Sequence, residues 1–94
     1  MSDTGQWPET VDQAVGVLLG LLPEGEKARI AAMAPDDLVA LHLGLGMWIR
    51  NHLGLWFENS ALLQSARAQS PDDASVVIIE ALWRRLREAI PKVH

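Results

Sequence analysis

The sequence predicts an all-α fold: a compact single-domain bundle of about five helices around a buried central helix. Three observations predict it. Apolar residues recur at three- and four-residue intervals along most of the chain, the spacing of helix faces rather than strands. Helix start and stop signals punctuate it at short intervals. The 94 residues, 49% hydrophobic and 21% charged, suit one folded core and leave no room for a second.

Residues 1–6 read as a flexible N-terminal tail, and residues 7–94 as a single helical domain. Thr10-Val11-Asp12-Gln13 is a capping box at the first helix start. Val11, Ala14, Val15, Leu18, Leu19 and Leu22 then form one apolar stripe, ended by Pro23. A second, shorter helix runs from Glu24 to Met33, with Ala28, Ala31 and Ala32 supplying propensity. Pro35-Asp36-Asp37 opens a third, because proline suits the first helical position and the acids complement the helix dipole. From Leu38 to about Leu53 the pattern is apolar almost all round, which predicts the buried central helix, with Gly54 as its C-terminal stop. Asn59 can cap a short fourth helix through Ala66. Ser70-Pro71-Asp72-Asp73 opens a fifth, striped by Val76, Ile79, Leu82, Trp83, Leu86 and Ile90 and closed by Pro91.

Gly44 and Gly46 break the local rules, since each glycine inside a helix costs about 1 kcal/mol relative to alanine. Close approach of another backbone is the usual compensation. Gly16 and Gly20 on the first helix, facing Ala40 and Gly44 on the third, predict such a crossing. His42, Gly46 and Arg50 share one line along the third helix, with Asn51 one position round. This line is either a satisfied internal polar network or the floor of a ligand pocket. A buried arginine needs an acid, and Glu58, Asp72, Asp73 and Glu80 are the candidates.

Charge and composition narrow the function classes. A net charge of −4 suits a soluble cytoplasmic protein and disfavours nucleic acid as a partner. Arg84, Arg85 and Arg87 read as a solvated helix face. The N-terminal residues lack the basic and apolar regions of a signal peptide. Leu38 to Phe57 has the length of a membrane span but carries His42, Arg50, Asn51 and His52. One mid-span charge costs roughly 2.5 to 3.5 kcal/mol, so no membrane association is expected. The absence of cysteine removes disulfides, thiolate metal sites and Cys nucleophiles. The spacing of His42, His52 and His94 fits no metal site, and no Gly-rich phosphate loop is present. Ser75 with His42 is a conceivable nucleophile–base pair, but nothing in the sequence activates it. Neither catalytic residues nor a cofactor are expected.

The run from Leu41 to Trp56 carries the pattern H-x-x-L-G-x-x-I-R-N-x-x-G-L-W, followed by an Asn, a short helix, and D-D-A-S before a Trp-containing helix. His42, Leu45, Gly46, Ile49, Arg50, Asn51, Gly54, Leu55, Trp56, Asn59, Asp72, Asp73, Ala74, Ser75 and Trp83 supply it. Together with Trp7-Pro8 and the Thr10 capping box, this resembles a family of small bacterial all-helical domains of unknown function. The resemblance implies a stand-alone domain and no known activity. It also singles out polar positions: His42, Arg50 and Asn51 as ligand-binding candidates, and Asn59, Asp72, Asp73 and Ser75 as a structural network. An ion pair from Arg50 to Asp73 or Asp72 would tie the third helix to the fifth.

The function expected from the sequence is a protein–protein interaction module without catalytic activity: an adaptor, an inhibitor or an immunity-type partner. Small size, acidity and 4 Trp among 94 residues motivate it, because tryptophan anchors interface hot spots. Trp7 and Trp56, at the ends of predicted helices, are the interface candidates. The alternative is a small anionic-ligand binding or sensing domain built on His42, Arg50 and Asn51, with Arg50 gripping the anion. A homodimer is the further expectation, since so short and apolar a chain has difficulty burying all its apolar surface alone.

Overall fold

Thr10 starts the first helix as its sequence requires. Its side chain accepts a hydrogen bond from the Gln13 N–H at 3.0 Å, while the Gln13 side chain reaches back to the Glu9 N–H at 2.9 Å. Helix α1 (Val11–Leu21) buries Ala14, Val15 and Leu18. The computed structural model describes residues 7–55 and 59–89. Expectations for the N-terminal tail, Trp56, Glu58, Ile90, Pro91 and His94 fall outside those residues.

Pro23 separates α1 from α2 (Glu24–Ala31), which buries Ile30 and Ala31. A single helical run then extends from Pro35 to His52 with three windings in succession. Pro35–Leu41 is a 3₁₀ helix, His42–Gly46 a π turn, and Met47–His52, here α3, an α-helix. Gly54, at φ 78°, stops the run in the left-handed conformation that glycine adopts without strain. Asn59 caps α4 (Ser60–Ser65) through its bond from the Leu62 N–H. Past α4, Arg67 takes the left-handed position at φ 55°, and the Arg67 and Ala68 N–H groups close back on Gln64 and Leu63 as a Schellman motif. Ser70 accepts from the Asp73 N–H at the start of α5 (Pro71–Ala89).

The fold is all-α, one compact domain with no strand among the described residues. The core is a continuous cluster in which Ala74, Ile78, Ile79 and Leu82 of α5 are fully buried against α1, α2, the 3₁₀–π–α run and α4. The buried central helix is therefore α5, not the third helix. The third run buries Leu38, Leu41, Gly46 and Ile49 but leaves Val39 64%, Leu43 82% and Met47 49% exposed. Its apolar character all round is not burial all round. Among the described residues no helix is long and apolar enough to cross a membrane.

Two side chains of α5 finish α2. The Trp83 indole N–H donates to the Met33 carbonyl at 2.8 Å, and Arg87 donates to the Ala31 carbonyl at 3.4 Å while its guanidinium lies over the Trp83 ring. They satisfy carbonyls that a helix end leaves without internal partners. Arg85 points elsewhere, its guanidinium 3.8 Å from Asp12 of α1.

The predicted crossing of Gly16 and Gly20 with Ala40 and Gly44 does not form. A Cβ built on Gly16, Gly20 or Gly44 would meet nothing within 4 Å. The close approaches lie instead at Gly46, described below, and at Gly54, where a Cβ would fall within 2.6 Å of the Trp7 indole. Gly16→Ala and Gly20→Ala should thus each raise the melting temperature, by about 0.5–1 kcal/mol of stability from the reduced freedom of the unfolded chain. Gly54→Ala should lower it, and combination with Trp7→Ala should relieve the clash while leaving about 1–2 kcal/mol of left-handed strain. Thermal denaturation of the single and double variants checks both.

Candidate functional site

The polar residues picked out by sequence divide into two clusters and three separate positions. In the first cluster, the π turn brings Gly46 against α5. A Cβ there would lie 3.2 Å from Arg50 Nη1 and 3.7 Å from both His42 Cβ and Ile79 Cδ1. The missing side chain lets the Arg50 guanidinium fold back across the run toward α5. Its Nη1 donates to Ser75 Oγ at 3.1 Å, and Ser75 Oγ donates onward to the Asp72 carbonyl at 2.8 Å. Arg50 Nε lies 3.3 Å from Asp72 Oδ1, an ion pair without hydrogen-bond alignment. The arginine side chain is 14% exposed and the aspartate 75%. Arg50 thus clamps the third run to the first turn of α5, through a carboxylate that water still reaches.

Asn59 is the centre of the second cluster. Its amide nitrogen donates to the Pro8 carbonyl at 2.9 Å and the Leu53 carbonyl at 2.7 Å, and its oxygen accepts from Leu62. One buried side chain therefore joins the segment before α1, the end of α3 and the start of α4. Trp7 packs on Gly54 beside it, 40% exposed. Ser65 adds a fourth tie by accepting from the Val11 N–H at 2.9 Å.

His42 stands half-buried beside Gly46, and its imidazole makes no hydrogen bond among the described residues. Asn51 and Asp73 are exposed. Among the described residues, no three His, Cys, Asp or Glu side chains converge as metal ligands.

A cavity lies elsewhere among the described residues, between the end of α1, α2 and the third run, with Ala40 and Gly44 in its wall. It is an apolar groove of about 730 Å³. One wall is Leu18, Leu21 and Leu22 of α1 with Ile30 and Met33 around the end of α2; the other is Ala40, Leu41, Gly44, Leu45 and Trp48. None of His42, Arg50 and Asn51 lines it. Trp48 is held in place by stacking on His52, with ring centroids 4.4 Å apart and planes 12° from parallel. Glu26 and Arg29 bond to each other at the rim. That hydrogen bond, with the arginine's charge, holds the Glu26 carboxyl below the usual carboxylate range. Its small contribution to stability is present above the ordinary Glu pKa and lost as pH falls through the lowered one. Periodicity alone gave no sign of the groove. Ala40 and Gly44 were the one signal for this place, and they mark an opening rather than a contact.

The fold and these clusters define a small all-helical domain tied together by polar side chains from its loops and helix ends. The chain belongs to the family described as Domain of unknown function (DUF6794), which matches residues 7–86. No curated protein matches the chain. No solved structure matches it either.

The two clusters differ in expected energetic weight. Asn59→Ala strands two backbone carbonyls and uncaps α4, and should cost about 2–4 kcal/mol. Asp72→Asn, at an ion pair with one water-exposed partner, should cost under about 1 kcal/mol. Urea denaturation of both variants against the parent measures the contrast, and equal losses would contradict it.

Proposed function

We propose that this protein is a non-catalytic protein-interaction module of the bacterial cytoplasm, and that its working surface is the groove between α1–α2 and the third helical run. The observation that carries the reading is the combination of groove and lips. A concave apolar surface of about 730 Å³ is flanked by Leu21 at 59% exposure on one side and Leu43 at 82% on the other. Contiguous apolar surface rimmed by polar residues is what soluble proteins keep for partners. A π turn in the groove wall supports the same reading, since such turns are frequent at functional sites. Gly44, inside that turn, leaves room in the wall rather than filling it.

The sequence-based alternative, an anion gripped by Arg50, draws less support, because that guanidinium is already shared between Ser75 and Asp72. Trp7, half of the original interface pair, spends one face on Gly54.

The test compares immobilised wild-type protein with Leu21→Glu. This residue is exposed, so the variant should keep the parent's circular dichroism and melting temperature within about 0.5 kcal/mol of stability. A protein from the source organism's lysate that is retained by the wild type and released by the variant supports the reading. Identical retention on both overturns it.

A further inference from the structure

The third run sets an uneven ladder of residues against the core. Leu38, Leu41, Gly46 and Ile49 are buried, at spacings of three, five and three. The first spacing belongs to the 3₁₀ stretch, whose i and i+3 side chains eclipse, and the second to the π turn. A uniform α-helix over the same residues would bury another line: Leu38, His42, Leu45 and Ile49, at four, three and four. Both lines join Leu38 to Ile49 in about three turns. A 3₁₀ stretch overwinds and a π turn underwinds, so the two deviations offset each other. The ends of the run therefore keep their faces in either winding, and only the middle rotates.

Each winding has its own cost. The observed one uses the poorer hydrogen-bond geometry of 3₁₀ turns and puts a glycine on the buried line. The α winding regains good geometry and brings in Leu45, but it carries the His42 imidazole into the core. A buried polar group without a partner is costly there. In the observed winding His42 stands half-buried to one side, beside Gly46.

We infer that the middle of the third run is a switch between these two windings, set by His42, and that it opens and narrows the groove. The inference rests on the groove being the working surface, and it supplies the regulation of that surface. In the α winding Leu41, Leu45 and Trp48 fall at i, i+4 and i+7, on one stripe of the helix. Leu41 thus turns from the core line into the groove, and Gly44, the open part of the wall, turns away from it. Arg50, clamped to Ser75 and Asp72, keeps α3 in place while the turns before it rewind. A partner in the groove binds the 3₁₀–π winding better and draws the run toward it; whatever favours the α winding weakens that partner.

The experiment is nuclear magnetic resonance on the whole chain. Contacts from an α-proton to the amide two residues on mark 3₁₀ winding, and to the amide four residues on mark α winding. The parent should show the first kind over Pro35–Leu41, with microsecond-to-millisecond exchange broadening confined to the middle of the run. His42→Leu makes the α line wholly apolar and should raise the α population at least about tenfold. His42→Gln, still polar, should keep the parent's contacts. Leu45→Gln puts a polar group on the α line and should abolish the broadening. The variants push in opposite directions, a pattern that a general loss of folding does not produce. A parent without exchange, a His42→Leu variant that keeps the parent's contacts, or a His42→Gln variant that rewinds equally overturns the switch. Retention of lysate protein separates the two readings. Where capture depends on Leu21, the rewound His42→Leu variant should retain less than the parent, and equal retention overturns the coupling to the groove. If Leu21→Glu leaves capture unchanged, the groove reading falls, while the proton contacts still decide the winding.

Discussion

Among the described residues, the helices packed round α5 are short or unevenly wound, and none is an α-helix long enough to stand alone. Isolated helices below about 12–15 residues are marginal in water; α2 has 8 residues, α3 and α4 have 6 each, and α1 has 11. Among the described residues, α5, with 19, is the one α-helix that exceeds that length, the 18-residue third run being divided among three windings. The short elements are helical because the apolar face of α5, centred on Ile78, Ile79 and Leu82, gives each something to bury against. The architecture is a set of short helices around one long one, and the loss of that face would remove the support of all the others.

Hydrophobic burial does not determine how six-residue helices are oriented, because it is non-directional. Polar side chains supply the direction. Asn59 fixes three chain segments from one point, Arg50 ties the third run to the start of α5, and Trp83 with Arg87 ties the end of α2 to α5. Each uses a backbone carbonyl, a helix end or a hydroxyl that would otherwise lack a partner. The same bonds that orient the helices therefore also satisfy their unpaired ends, and the domain reaches a defined fold with few residues.

Most of this was legible where chemistry is local. The Thr10 box, the Gly54 stop, the Asn59 cap and the Ser70-Pro71 start each depend on a few neighbouring residues, and each forms. Four acids were candidates for Arg50, and the family resemblance, which singles out Asp72 and Asp73, narrowed them to those two; the structure pairs it with Asp72. What periodicity could not convey was the winding of the run from Pro35 to His52. A 3₁₀ stretch turns faster and a π turn slower than an α-helix, so residues assigned to faces by a uniform period are displaced. Nor can an all-apolar pattern distinguish a helix buried on every side from one that is buried on one side and bare on another. Both give the same letters, and Leu43 shows which applies here. The small residues misled in the same way: Gly16, Gly20 and Gly44 are small as in a close crossing, yet none has a neighbour where a Cβ would stand, and Gly44 lines the groove instead.

The aromatic set has a consequence for observation. With 4 Trp and no Tyr, ultraviolet emission from this protein comes almost wholly from indoles. Those described stand in unlike surroundings: Trp83 bonded to a carbonyl beneath a guanidinium, Trp7 against a glycine, and Trp48 in the groove wall under an imidazole. Trp48 is thus a reporter already built into the wall. The colour of its emission registers whether the groove holds water or another side chain, without any attached dye.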